Sequence, residues 1–277
     1  MFPIPNPAAT FVLFSLLPLL CRCSTPQADH PSAHRDPNRI LAPRKLDVPF
    51  QLGEELTYEV SYMGLSAGSA VMHVLPDERP GGMLIRVNAA TSGAARLAFP
   101  LREARMVLAD SGTLRPQSAH TQGRKGEERR SVLLTFDDGT RSVFGRISRN
   151  GEETVRLLHA AEAWDPASLL LLVRSIDLTP PFREDYELVL GGKLVHLVLD
   201  ALEPEDVETS AGVFEQAHHL RGRVYALDDQ GVPAKDPKHR FEVWIAASGH
   251  RPVVRLTKPI GWAEVQFELA GMDRVLQ

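Results

Sequence analysis

Leu56-Thr57-Tyr58-Glu59-Val60-Ser61-Tyr62 is the stretch that decides the fold. Leu56, Tyr58, Val60 and Tyr62 alternate with Thr57, Glu59 and Ser61, so an extended backbone puts the large apolar residues on one face and the polar ones on the other. A helix would scatter the same residues around its circumference. The segment is therefore predicted to be a strand with one buried face, and its β-branched and aromatic residues suit a pleated, half-buried surface.

The same period runs outward through the chain. Residues 64–68 are read as a turn into Ala70, Met72 and Val74, and Pro80-Gly81-Gly82 separates these from Met83, Ile85 and Val87, giving a three-stranded meander. Val132, Leu134 and Phe136 lead through Asp138-Gly139 to residues 142–147, and Asn150-Gly151 leads on to 154–158. Both dipeptides are read as two-residue hairpin turns, whose central positions need positive φ. Gly191-Gly192 plays that part between residues 186–190 and 193–199. Late strands are read at 241–245, at 253–256 and through Ala263, Val265, Phe267 and Leu269. Roughly a dozen short-linked strands predict a mainly all-β fold, an antiparallel meander that curls or closes into a barrel. One segment differs. Asp165-Pro166-Ala167-Ser168 before the apolar run 169–176 has an N-cap Asp and a Pro at the first helical position, so the main helix is expected at about 165–176, packed across the sheet or plugging a barrel.

The chain has 277 residues, 24% of them charged, with a formal net charge of -4 and a pI near 6.2. No global basic field exists to hold a polyanion, which argues against a nucleic-acid partner. Residues 8–20 form an apolar run too short and too Pro-interrupted to span a bilayer comfortably; they read as the core of a signal peptide, although Met1 to Pro7 holds no Lys or Arg. Cys21 and Cys23 follow directly, and no Cys occurs from Ser24 onward, so a disulfide within the mature domain is excluded. Their position makes both lipidation candidates. Against this, Leu20 precedes Cys21 and Arg22 precedes Cys23 where a small residue is usual, and the alternative is two incidental cysteines in a removed leader. Membrane association is expected only if one is lipidated. The expected organisation is a signal peptide at 1–23, a disordered Pro- and His-containing tether at 24–46, and one β-rich domain at 47–277.

The block from Pro49 to Tyr62, followed by Gly64-Leu65-Ser66-Ala67-Gly68-Ser69-Ala70, resembles the opening of the bacterial domain-of-unknown-function family 3108. Thr91-Ser92-Gly93, Arg129-Arg130 through Phe136-Asp137, Asp165 to Arg174, and Lys258-Pro259-Ile260-Gly261-Trp262-Ala263-Glu264-Val265 fit the same pattern. The resemblance covers most of 47–269. It implies a secreted or envelope-associated β protein of Gram-negative bacteria, and it carries no catalytic residues over.

Few residues can carry chemistry. His218-His219 point to opposite faces of a strand and cannot readily share one ion, and His30 and His34 read as solvated tether residues. The mature chain offers no Cys nucleophile, and Ala67-Gly68-Ser69 lies in an expected hairpin rather than a nucleophile elbow. Glu54-Glu55, Glu127-Glu128 and Asp137-Asp138 read as solvated neighbours rather than as the facing pair that glycoside hydrolysis needs. Asp165 reads as the helix cap. Arg124, Lys125, Arg129 and Arg130, interleaved with Glu127 and Glu128, read as a soluble hairpin face, with contact to anionic lipid or polysaccharide as the minority reading. The strand aromatics are expected to be core; if the sheet curls without filling, Tyr58, Tyr62, Trp244 and Trp262 are the ligand-lining candidates. The expectation is a non-enzymatic periplasmic or outer-membrane-associated binding or assembly protein, without metal or cofactor, for a lipidic, glycan or protein envelope partner, such as an apolar or amphipathic envelope molecule or an envelope protein. An envelope enzyme acting on polysaccharide and a purely structural module are the rivals. A cleft with two facing acids would favour the first and a filled interior the second.

Overall fold

The computed structural model describes residues 46–274. The expected leader and tether, with Cys21, Cys23, His30 and His34, therefore lie outside the described residues, apart from Leu46. One sixteen-stranded sheet dominates the rest. β1 (Glu54–Tyr62), β2 (Leu65–Pro76), β3 (Gly82–Thr91), β4 (Leu101–Asp110), β5 (Pro116–Lys125), β6 (Glu128–Asp137), β7 (Ser142–Arg149) and β8 (Glu152–His159) pair in chain order from the middle of the sheet to one edge. On the other flank of β1 lie β16 (Ala263–Arg274), β15 (Val253–Ile260), β14 (His239–Ile245), β13 (Gly212–Ala226), β11 (Lys193–Ala201), β10 (Arg183–Leu190) and the short β9 (Ala163–Trp164), while β12 (Glu205–Thr209) pairs with β13. Neighbours are antiparallel except β9 and β10. Two meanders are thus joined where the first strand meets the last.

The strand that opened the reading forms as its alternation requires: Leu56, Tyr58 and Val60 are buried on the inner face. More strands exist than the sequence reading counted, and β4 and β5 show why. Their inward positions are Arg105, Val107, Ala109, Ala119 and Thr121, small or charged residues that leave the period-two apolar signal weak. Two turns also differ from expectation. The chain turns at Met63 and Gly64 and is already in β2 at Leu65, so Gly68 lies inside a strand, where a Cβ would stand 2.2 Å from the Ala90 carbonyl oxygen. The β6–β7 connection takes four residues, 138–141, with Asp137 Oδ1 accepting from Thr140 N, rather than a two-residue Asp-Gly turn. Asn150 and Gly151 do form the two-residue turn, both at positive φ.

The sheet curls without closing its hydrogen-bond ladder: β8 ends one side and β9 the other. Side chains bridge the gap instead. Arg130, on the inner face of β6, donates from Nη2 to the Gly191 carbonyl at 2.8 Å. Ile147 of β7 lies so close over Gly192 that a Cβ there would be 2.4 Å from its Cδ1. The tight β10–β11 turn therefore abuts the inner side of the β6–β7 hairpin.

A short helix, α1 (Gly93–Ala98), packs on β2, and α2 (Pro166–Arg174) fills the interior, touching β3, β4 and β10. Asp165 caps α2 by accepting from Ala167 N at 2.8 Å. Leu169, Leu171, Leu172 and Val173 are all buried, each a side chain whose burial is worth roughly 1.5–3 kcal/mol. Both ends of α2 are also tied to the sheet by buried ion pairs. Asp165 Oδ2 meets Arg105 Nη1 at 2.8 Å. Arg174 Nη2 donates to Glu54 Oε2 at 2.9 Å and to the His250 carbonyl at 2.8 Å, and its Nε donates to the Arg251 carbonyl at 2.9 Å. The second Arg174–Glu54 contact, Nη1 to Oε1 at 2.8 Å, is an ion-pair approach off the hydrogen-bond line. Glu54 is thus an internal anchor, which corrects its reading as a solvated surface acid.

Candidate functional site

The four aromatic residues singled out as a ligand lining do not converge. Tyr58 is core: burial pushes its hydroxyl far above the usual range, against the nearby Arg174 guanidinium, and that hydroxyl has no hydrogen-bond partner. Trp244 lies on the opposite face. The row Trp244–Arg255–Glu268–Glu59 crosses β14, β15, β16 and β1, and Glu59 alternates with Tyr58. Trp244 is sealed there by the His219 ring stacked 4.4 Å away, by the Arg255 guanidinium and by a hydrogen bond from Nε1 to Glu205. Trp262 is not on a strand, as the sequence reading had it; it sits in the turn between β15 and β16 and is 72% exposed. Tyr62, at the end of β1, packs against the core.

What the structure does bring together is one end of the sheet. Met63 N donates to the Glu264 carbonyl at 3.0 Å, so the β1–β2 and β15–β16 turns lie side by side. Met63, Leu65 and Trp262 project there, and Leu97 projects from α1 beside them at 89% exposure. Short turns with positive-φ Gly64 and Gly261 leave these large side chains at the tips rather than folding them inward.

Just inside these tips are two basic groups that sequence reasoning passed over. The row Tyr62–Val265–Lys258 places Lys258 on the inner face of β15, and pairing with the buried Val224 places His239 on the inner face of β14. Lys258 is 8% exposed, and burial alone pushes its ammonium down to about 8. His239 Nε2 is buried with no hydrogen-bond partner. Burial, then Lys258, then Lys238 lower its imidazole to about 4. Phe241, two residues on from His239 on β14, brings the tip of its ring over Gly222. A signal existed in the chain: Leu256, Lys258 and Ile260 keep the inward alternation, so Lys258 occupies a position where an apolar residue is expected.

The other candidates stay apart. His218 and His219 face opposite sides, as adjacent strand residues must; His219 joins Trp244, while His218 is lowered by burial and by Arg251. Among the described residues no group of three or more His, Cys, Asp or Glu is placed to hold a metal. Glu127 and Glu128 lie at the β5–β6 hairpin, where Glu128 meets Arg149 at 3.1 Å, and Asp138 pairs with Arg115. Asp165 is fully buried against Arg105 and the α2 amides, with no opening toward solvent.

Among solved structures, a β-barrel-like protein of the DUF1849 family from Brucella abortus is similar, with a TM-score of 0.55 at 10% identity over 81% of this chain and 98% of the other. At that identity the likeness concerns the fold. A candidate exported protein with a YmcC-like fold from Bacteroides fragilis (TM-score 0.37, 13% identity, 83% and 99% covered) and a candidate lipoprotein from Parabacteroides distasonis (0.35, 11%, 82% and 98%) are more distant. A search of the curated proteins found no match. The family model described as "Protein of unknown function (DUF3108)" matches residues 57–270, a span that takes in β1 from Thr57 onward, Arg105, Asp165 and Arg174 but not Glu54, and the Lys258 end of the sheet: the chain belongs to the DUF3108 family.

Proposed function

We propose that this chain is an exported, non-catalytic envelope protein, periplasmic or associated with the outer membrane, that holds an amphipathic envelope molecule against one end of its sheet. The observation that carries the reading is the placement of Met63, Leu65, Leu97 and Trp262, exposed together at the turns while α2 and its Leu and Val side chains occupy the interior. α2 inside the sheet counts toward the structural-module rival; the exposed turn residues are what favour a binding surface, and they place it at the rim rather than in an internal groove. Large exposed apolar clusters of this kind mark interaction sites, and Trp at such a tip suits a lipid–water boundary because one end of the indole is apolar and the other polar. Two of the chain's buried acids are engaged in ion pairs, Glu54 with Arg174 and Asp165 with Arg105.

Trp emission tests this directly. Trp164 and Trp244 are buried at 3% and 6%, so a shift on lipid binding reports Trp262, and residues 1–45 contain no Trp to confuse it. Titrating the full-length chain with phosphatidylcholine vesicles should blue-shift the emission, and the triple variant Met63→Ser, Leu65→Ser, Trp262→Ser should lose most vesicle co-sedimentation without losing stability. Unchanged emission, with equal co-sedimentation of variant and wild type, would refute the rim as the binding surface.

A further inference from the structure

We infer that the same end of the sheet is an anion site, in which Lys258 and His239 receive the phosphate or carboxylate head of the amphiphile whose tail lies against Met63, Leu65 and Trp262. The inference rests on the binding reading above and names the chemistry of its ligand.

Three observations support it. Lys258 is more than nine-tenths buried along its stem while its ammonium nitrogen still reaches solvent, and among the described residues it forms no hydrogen bond or ion pair. Such a group is expensive to keep: buried cations are normally paired, and an apolar residue of similar length would cost nothing. His239, on the neighbouring strand, adds a second buried nitrogen with no partner. The charges that act on the neutral His239 imidazole are of one sign, Lys258 from the inner face and Lys238 just before β14. The other buried cations of the interior are provided for in the fold itself, Arg105 by Asp165 and Arg174 by Glu54 and two carbonyls. Lys258 alone among these lacks its counter-ion, and it sits at the end of the sheet that opens between the exposed turns.

An anionic head fits this better than a neutral one. Its oxygens would accept from the ammonium and from the imidazole, replacing the hydration both groups give up, and charge-assisted bonds of this type are about twice as strong as neutral ones. The low-dielectric surroundings that depress both groups would strengthen that contact. α2 and its Leu and Val side chains lie inside the sheet, so the chain of the amphiphile is placed outward over the turn residues, where the exposed apolar side chains are.

The test is calorimetric titration of the full-length chain, below micelle concentrations, with dodecyl phosphate, laurate, dodecyl maltoside and inorganic phosphate. Dodecyl phosphate or laurate should bind at least tenfold more tightly than dodecyl maltoside. Lys258→Met should erase that preference while leaving dodecyl maltoside binding unchanged, and Lys258→Arg should restore part of it. Equal binding of charged and neutral amphiphiles in wild type, or a preference that survives in Lys258→Met, would overturn the anion site and leave the amphiphile reading intact. Inorganic phosphate binding as tightly as dodecyl phosphate would keep Lys258 as an anion ligand but remove the amphiphile. Absence of binding by every probe would remove both. The melting temperature of Lys258→Met, expected at or above that of wild type, excludes misfolding as the reason for lost preference.

Discussion

Replacing Asp165 separates two jobs that one carboxylate performs. Its Oδ1 accepts from Ala167 N, capping α2, and its Oδ2 contacts Arg105 Nη1, both at 2.8 Å and both fully buried. Losing a cap costs about 0.5–2 kcal/mol, and removing one partner of a buried ion pair costs about 3–5 kcal/mol. Asp165→Ala should therefore lose about 3.5–7 kcal/mol. Asp165→Asn keeps the cap acceptor but not the charge, so it should still lose about 3 kcal/mol, contrary to the expectation from the helix motif alone that Asn would be well tolerated. Arg105→Met leaves a buried carboxylate facing apolar surroundings and should cost about as much as Asp165→Asn. The double variant should cost far less than the sum, with a coupling of about 2–3 kcal/mol, because the charge stranded by each single change is gone. Urea unfolding followed by far-UV circular dichroism reads all four proteins. Wild-type stability in Asp165→Asn, or strict additivity in the double variant, would refute an energetically coupled pair and leave Asp165 as a cap only.

Two further outcomes follow from the inner face. The folded pKa of Lys258 is depressed from 10.5 to about 8, so between those values the unfolded chain binds more protons and wild-type stability should rise with pH; Lys258→Met should abolish that rise and be more stable by roughly 3 kcal/mol at pH 7. Urea midpoints taken from pH 7 to 10.5 check this, and a flat wild-type profile would show that the ammonium is hydrated. Gly222→Ala would place a Cβ 2.1 Å from Phe241 Cζ, so it should destabilise by about 1–3 kcal/mol through overpacking; Phe241→Leu in the same chain should recover part of the loss, and equal melting temperatures for wild type and Gly222→Ala would show that the ring moves away freely.

The chain announces its strands wherever one face is buried and the other wet. β1, β2, β3 and β16 carry this alternation in large apolar residues, so their faces are legible without coordinates. So is the start of α2, because Asp165 and Pro166 satisfy local backbone requirements that involve no distant residue. β4 and β5 are less legible, since Arg105 occupies an inward position that only a carboxylate sixty residues away in sequence makes tolerable. The same holds at the candidate site. Trp262 stands in an alternating stretch, but the turn at Gly261 takes it out of the strand. Lys258 fits the inward period, yet nothing local says that it lacks an acidic neighbour.

Period and turn chemistry are nearest-neighbour properties, and through them the sequence by itself determined an antiparallel β-rich chain with one principal helix. Tertiary structure decided the rest. The sheet curls around α2 and leaves its ladder open, Arg130 bridging to the Gly191 carbonyl across the gap. The two ion pairs of α2, the sealing of Trp244 on the outer face, and the meeting of Met63, Trp262 and Lys258 at one end of the sheet depend on which distant strands become neighbours. Strand neighbours are chosen by the global burial of apolar surface and the matching of buried charges, and no window of sequence contains either.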